Sequence, residues 1–303
     1  MLKSVYKKLG NNSLERKQAV AGYLFVLPNF IGFLIFIFIP VFASLILSFF
    51  DWNLVNPLKF IGLTNYFSMF KRSLFQKTFI NTVYYTLVTV PLSVMFGLLL
   101  AVLVNNIKKM AIVYKFIFFL PYIIPTVAAA LIWQTIYMPN YGILTYLLDI
   151  FNITSPPWLS NPNWAMPAII IMSVWKNIGF TFIIFLAGLQ GIPNRYYEAA
   201  KIDGANVIQQ FLKVTLPLLT PTIFFTVVIS MIDSFKVFDQ AFILTQGGPA
   251  DATKTLVYHI YNEGFRYFRM GYASATGWVL LLIIFILTLV QFNYQKKWVT
   301  YDV

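Results

Sequence analysis

Cysteine is absent from the chain, which excludes disulfides and thiolate-held metals and leaves the compartment open. Charge is scarce as well. Only 11% of the 303 residues are charged, less than a soluble domain of this length needs to cover its surface. No G-x-x-x-x-G-K-[ST] phosphate loop occurs, so the chain is not expected to hydrolyse ATP. No cluster of His, Cys or paired carboxylates suggests a membrane enzyme.

What remains is apolar, at 59% of residues. Long uncharged runs cover Gln18–Phe50, Thr78–Ile107, Phe116–Leu148 and Met270–Gln295. About 20 apolar residues span a bilayer as a helix. A transmembrane barrel would show short alternating segments instead. The pattern predicts an all-α integral membrane protein with six transmembrane helices, at roughly 22–48, 80–105, 112–136, 164–188, 215–239 and 273–295. Pro28, Pro91, Pro121, Pro125 and Pro221 fall within or near these spans, where neighbouring groups can satisfy the freed carbonyls. The first block is basic at its start, long, and lacks a small-residue cleavage site, so it reads as a retained span.

The net charge of +12 reads as topology and not as nucleic-acid binding, because the basic residues flank the spans. With the N-terminus inside, thirteen are internal: Lys3, Lys7, Lys8, Arg16, Lys17, Lys108, Lys109, Lys115, Arg195, Lys201, Lys213, Lys296 and Lys297. Seven are external: Lys59, Lys71, Arg72, Lys77, Lys254, Arg266 and Arg269. Both termini are therefore expected in the cytoplasm. The loop from Met138 to Asn163, which has no Lys or Arg and contains Trp158, fits the outside. His259 falls in an outer loop, which argues against a metal site or histidine-based catalysis.

The cytoplasmic side then holds a polar island between apolar blocks, Tyr197 to Pro217. Asn194 is positioned to cap a short helix after Pro193. Arg195, Glu198 and Lys201 are three apart and can pair along it. Ala199 and Ala200 keep one face small, and Gly204 suits a left-handed helix end. Ala205–Val214 is expected to form a second helix, with Leu216-Pro217 opening span five. A surface loop of good helix propensity would look similar by composition.

The residue pattern separates the two. Glu198-Ala199-Ala200, Gly204, Val214 and Leu216-Pro217 resemble the EAA motif of permease subunits of binding-protein-dependent ABC importers, with Val in place of the family's Ile. IPNRYYEAAKIDGA, LPYIIPT at 120–126, LTQGGP at 244–249 and MGYASA at 270–275 resemble the carbohydrate-uptake class of maltose-, lactose- and glycerol-phosphate-type permeases. The resemblance implies the type I ABC importer permease fold, with residues 1–75 as an addition to a five-helix core at 76–296 and the loop at 194–217 as the coupling helix. It implies that Tyr197, Glu198, Ala199, Ala200, Asp203, Gly204 and Ala205 contact an ATPase subunit. The implied partners are a second homologous permease, two cytoplasmic ATPase subunits, an extracellular or periplasmic sugar-binding protein and membrane lipid. ATP and Mg²⁺ would sit on the ATPases, with no cofactor in this chain. The implied place is the bacterial cytoplasmic membrane.

Lys176, Asn177, Asp233 and Lys236 lie within the expected spans, where an ionised group costs at least about 2.5–3.5 kcal/mol. They must face a polar pathway or pair with one another. The resemblance adds Tyr122, Thr126, Phe180, Ser230 and Ser234 as sugar-site positions, with aromatic faces to stack on rings and hydroxyls and amides to bond sugar hydroxyls. Lys176 beside them suits either an acidic sugar or a pair with Asp233. Ordinary packing would account for any one of these aromatics, and the serines could equally be helix contacts. The alternative function is a self-sufficient secondary transporter, which predicts inverted repeats and buried acidic sites. Only Asp233 and Asp239 qualify, and no repeat is visible.

Overall fold

The computed structural model describes residues 13–105, 107 and 110–300, so Lys3, Lys7, Lys8, Lys108 and Lys109 of the charge count lie outside the described residues. The helices, in chain order, are α1 (Ser13–Phe33), α2 (Ile39–Leu47), α3 (Thr64–Lys71), α4 (Ser73–Asn105), α5 (Ala111–Ile123), α6 (Thr126–Ile136) and α7 (Ile143–Ile150). They continue with α8 (Pro162–Gln190), α9 (Asn194–Ile202), α10 (Val207–Gln210), α11 (Leu216–Phe235), α12 (Asp239–Thr245), α13 (Leu256–Tyr261) and α14 (Met270–Trp298). A two-residue antiparallel pair, Phe50–Asp51 with Lys59–Phe60, closes the loop after α2.

Among the described residues, five continuous helices are long and apolar enough to cross a membrane: Arg16–Leu47, Ser73–Asn105, Pro162–Gln190, Val207–Phe235 and Met270–Trp298. The sixth span is broken, with Ile112–Ile123 and Thr126–Ile136 meeting at 96°. The sequence pattern had suggested one span over 112–136. Pro125 has no amide proton and fixes its own φ, so the helix ends before it and restarts after it. Span two starts at Ser73, earlier than 80, and its first turns are packed, with Phe75, Thr78 and Thr82 buried.

Span four, α8, is the central helix. It packs on α4, α5 and α11, and its Ala165, Ile169, Met172, Phe182 and Phe185 are fully buried. Gly179 makes one of these approaches possible. A Cβ there would stand 2.8 Å from the Phe118 carbonyl oxygen and 3.0 Å from Tyr122 Cβ. Thr181 Oγ1 donates to the Ser93 carbonyl at 2.8 Å and ties span four to span two. The first span is the outlier. Its apolar side chains from Tyr23 to Phe42 are mostly exposed, and α2 reaches span six, where Trp278 Nε1 donates to Ser44 Oγ at 3.1 Å.

The segment after α12 is clamped on span two. Lys77 Nζ donates to the Ala250 carbonyl at 2.6 Å, and Asn81 Nδ2 to those of Asp251 and Lys254 at 2.9 and 3.0 Å. His259 is on α13 and is 1% exposed, so it belongs to the packed interior and not to an outer loop.

Candidate functional site

All nine mid-membrane positions singled out from the sequence converge. Tyr122, Thr126, Lys176, Asn177, Asp233, Ser234 and Lys236 line a cavity of about 260 Å³. Phe180 and Ser230 line a smaller one, about 30 Å³, that shares Tyr122, Asn177, Asp233 and Ser234 with it. Tyr122 and Phe180 stand ring to ring at 5.3 Å between centroids, 31° from parallel. The wall therefore offers aromatic faces beside an amide and hydroxyls, a chemistry for polyhydroxylated rings.

The helix break sets this geometry, and Lys176 holds the break. Its Nζ donates to the carbonyls of Ile124 at 2.5 Å, Tyr122 at 3.0 Å and Pro121 at 3.4 Å. Pro125 cannot donate to the Pro121 carbonyl, which is thereby left without its helical partner. A cation at a helix C-terminus also meets the negative end of the helix dipole. The same ammonium lies 5.7 Å from the Tyr122 ring centre. Lys176 does not pair with Asp233. Asp233 Oδ1 is instead bonded to Lys236 Nζ, at 2.8 Å and i,i+3 spacing. Both of those side chains are more than half exposed, so the pair adds little stability, and both line the cavity.

The sequence reading missed span two. Tyr85, Thr89, Val90 and Ser93 also line the two cavities, and Ser93 Oγ is buried with no hydrogen-bond partner among the described residues. A signal was present: Thr78, Thr82, Thr86, Thr89 and Ser93 recur every three or four residues and are all buried. Phe238 and Gln240, just past span five, were missed as well. No spacing rule marks them.

The island lies at the other end of span five. From Val207, where that continuous helix begins, to Asp233 is 26 residues, or about 39 Å along a helix. α9 ends at Ile202, and Gly204 just after its C-cap Asp203 takes the left-handed conformation, with φ +79°. Asn194 does not cap it. Pro193 occupies the cap position in extended conformation, and Asn194 is the first helical residue. The capping side chain is Asn206, which accepts from Gln209 N–H at 2.9 Å while Gln209 Oε1 accepts from Asn206 N–H. Among the described residues, neither the Arg195–Glu198 nor the Glu198–Lys201 ion pair forms. These side chains are exposed and water competes for them. The second helix does not stop before span five. A π-type turn at Phe211–Thr215 leads α10 into α11, next to Pro217, whose missing amide removes one helical bond.

Tyr197 links the island to the bundle. Its hydroxyl is 3.0 Å from Thr215 Oγ1 at the foot of span five, and Tyr196 and Tyr197 pack on the buried cluster of Phe182, Leu189 and Leu219. Glu198, Ala199, Asp203 and Gly204 are exposed, and Ala200 and Ala205 are half-buried. Beside them Ile202 is 86%, Val207 80% and Ile208 69% exposed, an apolar surface on a polar segment.

Residues 60–299 match the family model described as binding-protein-dependent transport system inner membrane component. The chain belongs to this family of transport-system membrane components. It is 42% identical over 292 residues to the probable ABC transporter permease protein YesP of Bacillus subtilis, covering 95% of this chain and 94% of that one. It is 34% identical to the trehalose/maltose transport system permease protein MalF of Thermococcus litoralis, covering 92% and 95%. Among solved structures it resembles a chain of a bacterial ABC transporter for import of the acidic polysaccharide alginate, with a TM-score of 0.83 at 26% identity over 93% of this chain and 96% of that one. The fold is also that of a bacterial alginate ABC transporter in complex with an alginate pentasaccharide-bound periplasmic protein, with a TM-score of 0.84 at 24% identity over 95% and 98%.

As a member of the family the chain is a multi-pass integral membrane protein of a transport system that depends on a binding protein. That dependence leaves the self-sufficient secondary transporter without support.

Proposed function

We propose that this chain lines the translocation pathway of an ATP-driven importer for a sugar, an oligosaccharide or glycoside delivered by an external binding protein. The cleft of Tyr122, Asn177, Phe180, Ser230 and Ser234 carries this reading, because stacking rings, an amide and hydroxyls converge there between span-length helices. The names of the relatives, trehalose/maltose and sn-glycerol-3-phosphate permeases among them, agree with it.

The chain itself is not catalytic in this reading. ATP and Mg²⁺ are bound by two cytoplasmic ATPase subunits, and a second homologous permease completes the pathway. The island from Tyr197 to Ala205 docks on one ATPase, with Ile202, Val207 and Ile208 as the apolar contact. ATP-driven closure of the ATPases moves α9, and the Tyr197–Thr215 contact passes that movement to span five. Nucleotide and binding protein thereby stabilise different conformations of the bundle. Both termini are cytoplasmic, the cleft opens away from the island, and the five spans of 76–296 form the moving core with residues 1–75 attached to it.

Purification of the tagged chain from its native membrane tests this. ATPase subunits and a second permease should accompany it, and Glu198→Lys or Gly204→Asp should release the ATPase while leaving the chain in the membrane. Retention of the ATPase by both variants overturns the docking role of the island.

A further inference from the structure

A further polar cavity, sharing no lining residue with the cleft, lies where spans two and six begin. It has a volume of about 570 Å³ and is lined by Lys71, Arg72, Arg269, Glu263 and His259, together with the first residues of α4. Glu263 is 3% exposed and holds both arginines, with its Oε2 3.4 Å from Arg269 Nη1 and 3.8 Å from Arg72 Nη1. Arg72 also lies 4.4 Å over the Tyr272 ring. One carboxylate thus faces three cations, and the cavity keeps an excess of positive charge.

Two further features match an anion. α4 is 33 residues long, its opening residues Ser73 and Leu74 line the cavity, and the first amide returning to the chain is Gln76 N–H on the Arg72 carbonyl. The amides before it have no acceptor within the helix. His259, 1% exposed, lines the same cavity, and neither ring nitrogen has a hydrogen-bond partner among the described residues. Burial, with Lys254 and Arg72 nearby, pushes its pKa down to about 4, so at neutral pH the imidazole is uncharged and keeps, beside the cavity, a polar group without a partner among the described residues.

The position selects the source of the anion. Span-length helices start at Ser73 and Met270, so the cavity lies at one end of two spans, the part of a membrane helix that meets lipid headgroups. Phe265, Tyr267 and Phe268 beside it are each more than half exposed, as aromatic side chains are at a membrane boundary. We propose that this cavity binds the phosphate of an anionic phospholipid headgroup. Lys71 and Arg269 reach the phosphate, Glu263 fixes the two guanidinium groups, and α4 presents its free amides. A zwitterionic lipid brings its own ammonium to a site already rich in cations and binds less well. This site does not depend on what the cleft carries.

The test uses the full chain with its accompanying subunits, in vesicles of phosphatidylcholine alone or mixed with a minor fraction of phosphatidylglycerol. Phosphatidylglycerol should be retained through detergent extraction, as read by native mass spectrometry, and should raise the unfolding temperature. In Lys71→Gln/Arg269→Gln retention should fall about tenfold for each charge-assisted hydrogen bond removed, and the gain in unfolding temperature on adding phosphatidylglycerol should vanish, each variant being compared with itself in phosphatidylcholine because Arg269 also pairs with Glu263. His259→Leu should lose the phosphatidylglycerol-specific stabilisation. Unchanged retention in the double variant overturns the site. Stabilisation by inorganic phosphate alone, with nothing added by phosphatidylglycerol, overturns the lipid assignment. Full lipid retention with loss only of the binding protein's effect on ATP hydrolysis makes the cluster a protein-docking site and overturns the proposal too.

Discussion

Lys176 Nζ donates to the carbonyl oxygen of Ile124 at 2.5 Å, across the break between α5 and α6. A buried cation in a membrane span is thus bound to backbone, and the wall of the cleft depends on it. Lys176→Met leaves three carbonyls without their donor, each bond to a charged group being worth about 1.5–3 kcal/mol. Expected outcomes are a lower unfolding temperature in detergent and sugar uptake reduced about tenfold or more. Lys176→Arg should restore most of both. Normal stability with uptake lost only for acidic sugars would instead make Lys176 a substrate ligand.

Tyr122 and Phe180 form one aromatic wall, 5.3 Å between ring centres. Tyr122→Ala or Phe180→Ala should raise the KM for uptake about tenfold, from removal of roughly 1.5 kcal/mol of stacking. ATPase association should be unaffected. Transport assays with the reconstituted assembly and its binding protein read this directly.

Gly179→Ala places a methyl group 2.8 Å from the Phe118 carbonyl oxygen. Spans three and four must separate to accept it, at a cost of about 1–3 kcal/mol. Thermal unfolding in detergent measures the destabilisation.

His259 gives the fold a pH dependence. Its folded pKa, about 4, lies below the ordinary value of 6.5, so the unfolded chain takes up the proton first. The stability it contributes is complete above pH 6.5 and is lost as pH falls through about 4. The full effect is on the order of 3 kcal/mol. Phe75, Tyr272, Arg72, Lys254 and Asp251 surround or face the ring and Glu263 shares its cavity, so the profile should be recorded for wild type and His259→Leu in detergent without added lipid. A flat difference between them contradicts this role.

The spans were legible because uncharged runs of this length have one stable solution in a bilayer. The cleft residues were legible through motif text, and their joint position through the spans that carry them. Charge partners were not. Asp233 was within reach of Lys176 by sequence, yet Lys236 is one turn away on the same segment, and the proline break supplies Lys176 with carbonyls that no sequence pattern marks as acceptors. The polar stripe of Thr78 to Ser93 was readable but was absorbed into an apolar span. The cap at Asn194 failed because Pro193 already held the cap geometry, while Asn206 supplied the capping box one helix later.

The central claim is that ATP energy enters at the island and sugar passes at the cleft. It is tested most directly by ATP-driven sugar uptake into vesicles containing the full assembly, with Gly204→Asp and Asn177→Leu compared side by side. Gly204→Asp should lose the ATPase and all uptake together. Asn177→Leu should keep the ATPase and its nucleotide hydrolysis and lose uptake. Uptake that survives Asn177→Leu, or coupling that survives Gly204→Asp, contradicts the account.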